Sequence, residues 1–405
     1  MKKNITLSLF ILISYFSYSQ CNGRYENEIF SSVSVNTVNY SDVYNDYRHE
    51  MDIYTPDGDT EDNRPVVIYT HGGSFYAGDK GAVDCVDFCT SMAKRGYVAI
   101  SANYRLSQNP VSFIISTEEQ YRTVLKSVFD IKAAVRYLRK EHASSNPIGI
   151  DPNAIYVGGY SAGGVLAIHL AYIDQISDLP TSPVNAQNIV SDIGGTLEGD
   201  GGNNGFSSEV NGIFSYGGGI NNLDWINVDD EPIASVHGTN DQLVNYNCAP
   251  GLGLSSVLNL CGAGEMHSRA DSIGLYNQLL TYQGEDHSWC QSGNNNPLFV
   301  QATQFVTDFL FTLLPCNPNS VSYIEKNNLE TKIYPNPSYG TININSNELI
   351  RSIRVFNSIG AEVFSKSLRS KIVQLNNLDP GVHLILLEGE NNKKKIHKIL
   401  SLIHI

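Results

Sequence analysis

From about residue 50 the chain alternates short β-rich apolar runs with longer stretches in which apolar residues recur at helical spacing. "HEMDIYTP" and "RPVVIYTHGG" predict strands joined by the polar turn "DGDTEDN". The carboxylates of that turn resemble a calcium loop, but it lacks the glycine and the terminal Glu of that motif and reads as a solvated turn. "CVDFCTSMAKRG" predicts a helix ended by Gly96, followed by the strand "YVAISANYR". In "TEEQYRTVLKSVFDIKAAVRYLRKEHA" the residues Tyr121, Leu125, Val128, Ile131, Ala134, Val135 and Leu138 share one helical face behind a Thr117 cap, so a long surface helix is expected. It leads through "DPNAI" into the strand "IYVGG" and the apolar helix "GVLAIHLAYI". "VNGIFSYGGGI", "EPIASVHGTNDQLV" and "LLTYQGEDHSW" predict further strands, and "LFVQATQFVTDFLFTLL" a closing amphipathic helix. Short strands alternating with helices of this length imply an α/β fold with a mostly parallel central sheet. The stretch from Asp174 to Glu209, with its run "LEGDGGNNGFSSE", has no clear period and reads as a long loop, either a lid or disordered.

The pattern changes near the end. "PCNPNSVSYIEKNN", residues 315–328, reads as a polar linker, and beyond it "TININ", "IRSIRVFNSIG", "AEVFSKSL", "KIVQL" and "HLILLEGE" are short alternating runs between turns. These predict a small all-β module, a sandwich in the simplest packing. Charge changes with it. The whole chain is −14, but residues 331–405 carry ten Lys or Arg against five Asp or Glu, a balance of +5 that leaves −19 for the 330 residues before them. An acidic body of this size argues against nucleic acid or an anionic membrane surface as partner.

"MKKNITLSLFILISYFSYSQ" sets two lysines before an interrupted apolar run and small Ser17 and Ser19, the pattern of a signal peptide over residues 1–19. No later segment approaches 18 uninterrupted apolar residues, so no stable membrane span is expected. Export permits disulfides among the seven cysteines. Cys248 with Cys261, around a Gly-rich loop, and Cys290 with Cys316, around the closing helix, are the expected pairs; Cys85 and Cys89, four apart in a helix, are either two buried thiols or a geometrically awkward disulfide.

The candidate chemistry centres on Gly159-Tyr160-Ser161-Ala162-Gly163, a G-x-S-x-G sequence at the end of a predicted strand and the start of a helix. Glycines there could serve only a tight turn with Ser161 as a cap, or they could allow the strained elbow that exposes a nucleophilic hydroxyl. A nucleophile needs a base, a carboxylate to orient it and donors for the oxyanion. His287 follows a predicted strand in "GEDHSW", where a base belongs. His169 reads as helix packing, His237 as a structural strand residue and His267 as a solvated loop residue, while His383, His397 and His404 lie in the basic tail. Asp241 directly follows the apolar strand "IASV", which Asp224, Asp229 and Asp230 do not. Ala162, after the nucleophile, and the Gly-rich loop His71 to Gly78 are the oxyanion candidates.

"THGGSFYAGD", "YVAISANYRL", "IGIDPNAIYVGGYSAGG", "HGTNDQLV" and "GEDHSW" resemble the carboxylesterases of the hormone-sensitive-lipase-like and bacterial feruloyl or acetyl esterase groups of the α/β-hydrolase superfamily, over about residues 45 to 315. The resemblance implies Ser161 as nucleophile, His287 as base, Asp241 as acid, and the amides of Gly73, Ser74 and Ala162 as oxyanion hole, with no metal or organic cofactor. Ser74 stands where the related loops have a third glycine, and "CAPGLGLSSVLNLCGAGEMHSR" lengthens the interval between acid and base. Tyr76, Tyr160 and Trp289, in or beside these motifs, are candidate pocket residues. "IYPNPSYGTININ", "IRVFNSIGAEVFSKSL" and "LDPGVHLILLEGENNKKKIHKIL" resemble the type A C-terminal sorting domain of type IX secretion in Bacteroidota. The expectation is therefore an α/β-hydrolase domain over 20–314, a linker over 315–328 and a β-sandwich sorting domain over 329–405. It would be a secreted or cell-surface serine ester hydrolase acting on small acyl, aryl or polysaccharide-linked esters, with the secretion machinery as partner. A serine exopeptidase of the same fold, a silent adhesion protein and a carbohydrate-binding surface protein are the competing readings.

Overall fold

The structure, a computed structural model, describes Cys21 and residues 23–317, 331–338, 341–357, 362–376, 378–389 and 394–401. The expected signal peptide and most of the linker lie outside the described residues. The chain divides into two compact units, Met1–Val321 and Ser322–Ile405.

In the first unit, β1 (Val33–Asn39) and β2 (Glu50–Pro56) lead into β3 (Arg64–Thr70), α1 (Val83–Lys94) and β4 (Val98–Ala102). Next come α2 (Pro110–Ile115), α3 (Thr117–Ser144), β5 (Ile150–Tyr160), α4 (Ala162–Tyr172), α5 (Ala186–Ile193), β6 (Gly212–Tyr216) and β7 (Ile233–Gly238). A two-stranded hairpin, β8 (Cys248–Pro250) and β9 (Asn259–Cys261), precedes α6 (Ala263–Ile273), β10 (Asn277–Tyr282) and α7 (Pro297–Thr312). Eight strands form one sheet in the order β1-β2-β4-β3-β5-β6-β7-β10, antiparallel at β1–β2 and β2–β4 and parallel elsewhere. This is the α/β-hydrolase fold that the sequence predicts.

Parallel strands covered on both faces must be apolar throughout, and β4 and β6 are buried at every position. One face packs against α3, α4, α5 and α6, the other against α1 and α7. Helix α4, "AGGVLAIHLAY", is buried all round, which is why it shows no polar stripe. Helix α3 starts where expected, but its cap is Ser116, whose hydroxyl accepts from the Glu119 amide; Thr117 is the first helical residue.

Strand β1 was not among the predicted elements. Its positions are mostly exposed, so its apolar pattern is faint, and its backbone pairing along β2 makes it a strand. The segment from Asp174 to Glu209, expected as a lid or disorder, is fastened along α3. Arg136 binds the Gly202 and Glu198 carbonyls at 2.9 Å each, and Arg105 bridges Asp130 and Asp200.

The cysteines pair differently from expectation at one site. Cys248 and Cys261 are bonded, but Cys316 bonds Cys21, and Cys290 is a buried free thiol, as are Cys85 and Cys89. Cys290 lies on the core side of its turn, 3.5 Å from the Tyr69 hydroxyl, facing the sheet and not the end of α7.

In the second unit β11 (Thr331–Tyr334), β12 (Ile342–Asn357), β13 (Glu362–Leu375), β14 (Gly381–Gly389) and β15 (Lys394–Ser401) are all antiparallel. Bulges between Asn345 and Ser352 divide β12, so that β11 pairs with its first part and β14 with its second. Ile342, Ile344, Ile353, Val355, Ile385 and Leu387 form a separate apolar core.

Candidate active site

Ser161 sits in the one-residue step between β5 and α4 with φ 55° and ψ −117°, a region a non-glycine residue occupies only when its surroundings hold it there. Its amide donates to the Tyr216 carbonyl at 2.8 Å. Two glycines make the step possible by close approach: a Cβ on Gly159 or Gly163 would stand 2.1 Å or 2.0 Å from the Thr70 carbonyl oxygen. The Thr70 hydroxyl donates to the Gly158 and Gly163 carbonyls at 2.9 and 3.0 Å, tying β3 to both sides of the turn.

The Ser161 hydroxyl donates to His287 Nε2 at 2.7 Å, and His287 Nδ1–H donates to Asp241 Oδ2 at 2.5 Å. All of these side chains are buried, and they come from the turns after β5, β7 and β10, at one end of the sheet. Asp241 Oδ1 accepts from the Leu243 and Val244 amides at 2.8 and 2.9 Å. Burial pushes the Asp241 carboxyl up, but the hydrogen bonds and charges of His237 and His287 outweigh it and hold the group well below the usual carboxylate range.

His237, read from the sequence as structural, touches Asp241. Its Nδ1 accepts from the Ala263 amide at 3.3 Å, which puts the ring proton on Nε2; that proton points to the Val244 carbonyl at 2.9 Å and to Asp241 Oδ2 at 3.2 Å. The only sequence signal was its place four residues before Asp241. His267, expected in a solvated loop, is buried in α6 with Nδ1 2.6 Å from Asn277 Oδ1.

The loop after β3 turns back through positive φ at Gly73, Ser74 and Phe75. Gly73 is required there, because a Cβ would meet the Ala77 carbonyl oxygen at 2.1 Å. The Gly73, Ser74 and Ala162 amides donate to no acceptor among the described residues. Ser74, Ser161 and Ala162 line a common cleft, with about 790 Å³ of atom-free space, part of it open to solvent.

That cleft is walled by Phe75, Phe113, Tyr121, Val165 and Trp225, none of them among the expected pocket residues. Trp289 instead packs on the opposite face of the sheet against Tyr216 and Tyr282 at ring distances of 5.4 and 5.2 Å. Tyr160 lies behind His287: its hydroxyl donates to the His287 carbonyl at 2.7 Å, and its ring lies tilted against the imidazole at 5.1 Å. Tyr76 packs edge-on against Phe113, 6.2 Å away, outside the lining. Of the three expected pocket residues none lines the cleft; besides Ser161 and Ala162 it takes from the motifs Ser74 and Phe75 of "THGGSFYAGD" and Leu243 and Val244 of "HGTNDQLV", and the rest of its wall comes from outside them. His169, expected to be packing, lies in the cleft wall; its Nδ1–H donates to the Val165 carbonyl at 2.7 Å, and burial lowers its pKa to about 4, so it is neutral.

Residues 51–193 match the family model BD-FAE, and residues 332–401 match a secretion system C-terminal sorting domain. Carboxylesterase 3B of Mus musculus is 30% identical over 34% of the chain and 21% of its own length, and para-nitrobenzyl esterase of Bacillus subtilis (strain 168) is 30% identical over 28% and 22%. The matched segment thus spans about a fifth of these curated relatives. Among solved structures, a truncated form of carbohydrate esterase from gut microbiota superposes with a TM-score of 0.51 at 20% identity, covering 70% of this chain and 96% of that one. The chain carries an α/β-hydrolase domain of esterase type and a C-terminal sorting domain. No helix among the described residues is long and apolar enough to cross a membrane.

Proposed function

We propose that the chain is an exported serine ester hydrolase that works through an acyl-enzyme, with residues 20–314 as its catalytic domain, 315–328 as linker and 329–405 as the sorting address. The observation that carries this is the continuous path from strained Ser161 through His287 to buried Asp241, 2.7 and 2.5 Å per step. Ser161 Oγ attacks the ester carbonyl carbon while its proton passes to His287 Nε2. The amides of Gly73, Ser74 and Ala162 receive the oxyanion. Collapse breaks the bond to the alcohol, which leaves with the proton from His287. Water then attacks the acyl carbon, gives its proton to His287 and releases the acid, and Ser161 recovers its proton.

Likeness to the carboxylesterase and the para-nitrobenzyl esterase supports ester hydrolysis, and the sorting-domain match supports export through the type IX route to the medium or cell surface. Small acyl, aryl or glycan-linked esters are the proposed substrates. No Asp or Glu is among the described residues lining the cleft, so nothing there would receive the ammonium of an N-terminal peptide, which favours esterase over exopeptidase.

Labelling with an organophosphonate tests the reading. Wild type should label at Ser161 alone. Ser161→Ala should label nowhere and lose about 10³-fold or more in kcat/KM while keeping its fold. Undiminished labelling of another serine would sink the assignment.

A further inference from the structure

Five of the cleft-lining residues, Gly251, Leu252, Val257, Leu258 and Leu260, come from the short segment between Cys248 and Cys261. These cysteines face each other across β8 and β9 and are bonded, so the segment is a closed loop of its own. It is bolted to the body on three sides. The Leu252 amide donates to the Leu243 carbonyl at 2.7 Å, and Leu252 is held at φ 59°, where a bulky residue stays only under constraint. Ile220 and Cys261 exchange backbone hydrogen bonds of 2.9 and 2.8 Å. The third bolt is Gln120 of α3, which is 2% exposed. Its amide nitrogen donates to the Phe113 and Ser256 carbonyls at 2.8 and 3.1 Å, and its oxygen accepts from the Leu258 amide at 3.0 Å. Gln120 therefore joins α2, α3 and the loop across the far side of the cleft.

Position decides which half of an ester enters. Ser74, Ser161 and Ala162 line the cleft and His287 does not. The alcohol must leave beside the His287 nitrogen that protonates it, so the cleft takes the acyl group. Its walls are almost wholly apolar.

We propose that the disulfide-closed segment Cys248–Cys261, clamped by Gln120, is the specificity-determining wall of an acyl pocket, and that it selects esters of medium-length or aromatic apolar acids over acetates. This rests on the ester-hydrolase reading. Each methylene buried against such a wall gains about fourfold in kcat/KM, so four additional methylenes set a ceiling of about 200-fold.

The test uses the full chain and 4-nitrophenyl acetate, butanoate and hexanoate, whose leaving group is constant. Wild type should prefer hexanoate to acetate at least tenfold in kcat/KM. Val257→Trp, which fills the pocket from the wall, should lower that ratio at least tenfold. The double variant Cys248→Ala/Cys261→Ala, which frees the loop, should lower it about fivefold. If the double variant does not fold, Val257→Trp decides alone. Hydrolysis of every ester with a preference for acetate, or a ratio that Val257→Trp leaves within twofold of wild type, overturns the wall and leaves the esterase reading standing. Failure of any ester to turn over, with no organophosphonate labelling of Ser161, overturns both.

Discussion

Replacing both partners of the Cys21–Cys316 disulfide, Cys21→Ser with Cys316→Ser, isolates what closing the first unit's two ends contributes. The bond spans a sequence separation of 295, so it constrains almost the entire unit in the unfolded state. The chain-entropy expression gives about 5 to 6 kcal/mol for a loop of this length, above the usual measured range, so a loss of about 3 to 5 kcal/mol is the realistic expectation. For a unit of this size that lowers Tm by about 5 to 8 °C. The segment after Cys21 keeps other anchors: the Tyr25 amide on the Arg95 carbonyl at 2.8 Å, and the Ile29 and Phe30 amides on the Lys94 carbonyl at 3.0 Å each. The variant should therefore fold. Its activity should be unchanged, because Cys21 and Cys316 lie beside Asn63, Pro65 and Asp151, at the start of β3 and β5, while Ser161 follows the end of β5. Calorimetry and steady-state kinetics on oxidised protein check both parts. A Tm within 1 °C of wild type, or a tenfold loss of kcat, would refute the reasoning.

Asp241→Asn should cost about 10² to 10⁴ in kcat, because one face of the carboxylate receives two imidazoles and the other two backbone amides, and an amide can accept on one face only; a loss below tenfold would point to another acid. Acid should unfold the protein early. His71, His169 and His267 are buried, and burial holds each near pKa about 4 against about 6.5 unfolded, so stability present above pH 6.5 is lost as pH falls towards 4. At pH 5 this removes about 2 kcal/mol per histidine. Asp84, which burial raises to about 6, and His49, raised by Asp130 and Asp46 against the opposing effect of burial, act in the opposite sense and return part of it. Urea midpoints at pH 7.5 and 5.0 measure the net, and equal midpoints would contradict it. A chain ending at residue 318 should hydrolyse simple esters at close to the full-length rate but stay in the periplasm of the native host; normal secretion would show that the tail is not the address.

That Ser161, His287 and Asp241 would come together was legible because each sits at a strand end and the order Ser, Asp, His runs along the chain; position relative to predicted strands, not the residue type alone, selected Asp241 over Asp224, Asp229 and Asp230. The 248–261 disulfide was legible for a similar reason, since a short Gly-rich loop brings its ends together locally. Cys21 carries no such signal. Its partner is 295 residues away, and only closure of the whole unit brings them together, so spacing suggested Cys290 for Cys316 instead. The cleft was illegible for the same physical reason: Phe113, Tyr121 and Trp225 reach it from α2, α3 and the turn after β6, and no local pattern says which face of a long helix will border a cavity. His267 was misplaced because "GAGEMHSR" reads as a loop through its glycines, whereas Gly262 lies at the start of α6 with its amide on the Asn247 carbonyl at 2.7 Å.

The strain at Ser161 and the packing beneath it are one device. A non-glycine residue at such φ and ψ costs about 1 to 3 kcal/mol and persists only if its surroundings leave no alternative. Here the constraint is made by parts that are themselves rigid. Helix α4 cannot rotate, being buried on every side, and β5 cannot slide, because β3 pairs along its length and Thr70 bonds both Gly158 and Gly163. Between a fixed strand and a fixed helix a single residue must reverse the chain, and Gly159 and Gly163 let the two approach the Thr70 carbonyl closely enough for one residue to suffice. The run "GGYSAGG" is thus required twice over. Its glycines admit the close approach, and that approach leaves the hydroxyl of the only side chain at the apex facing His287, 2.7 Å away.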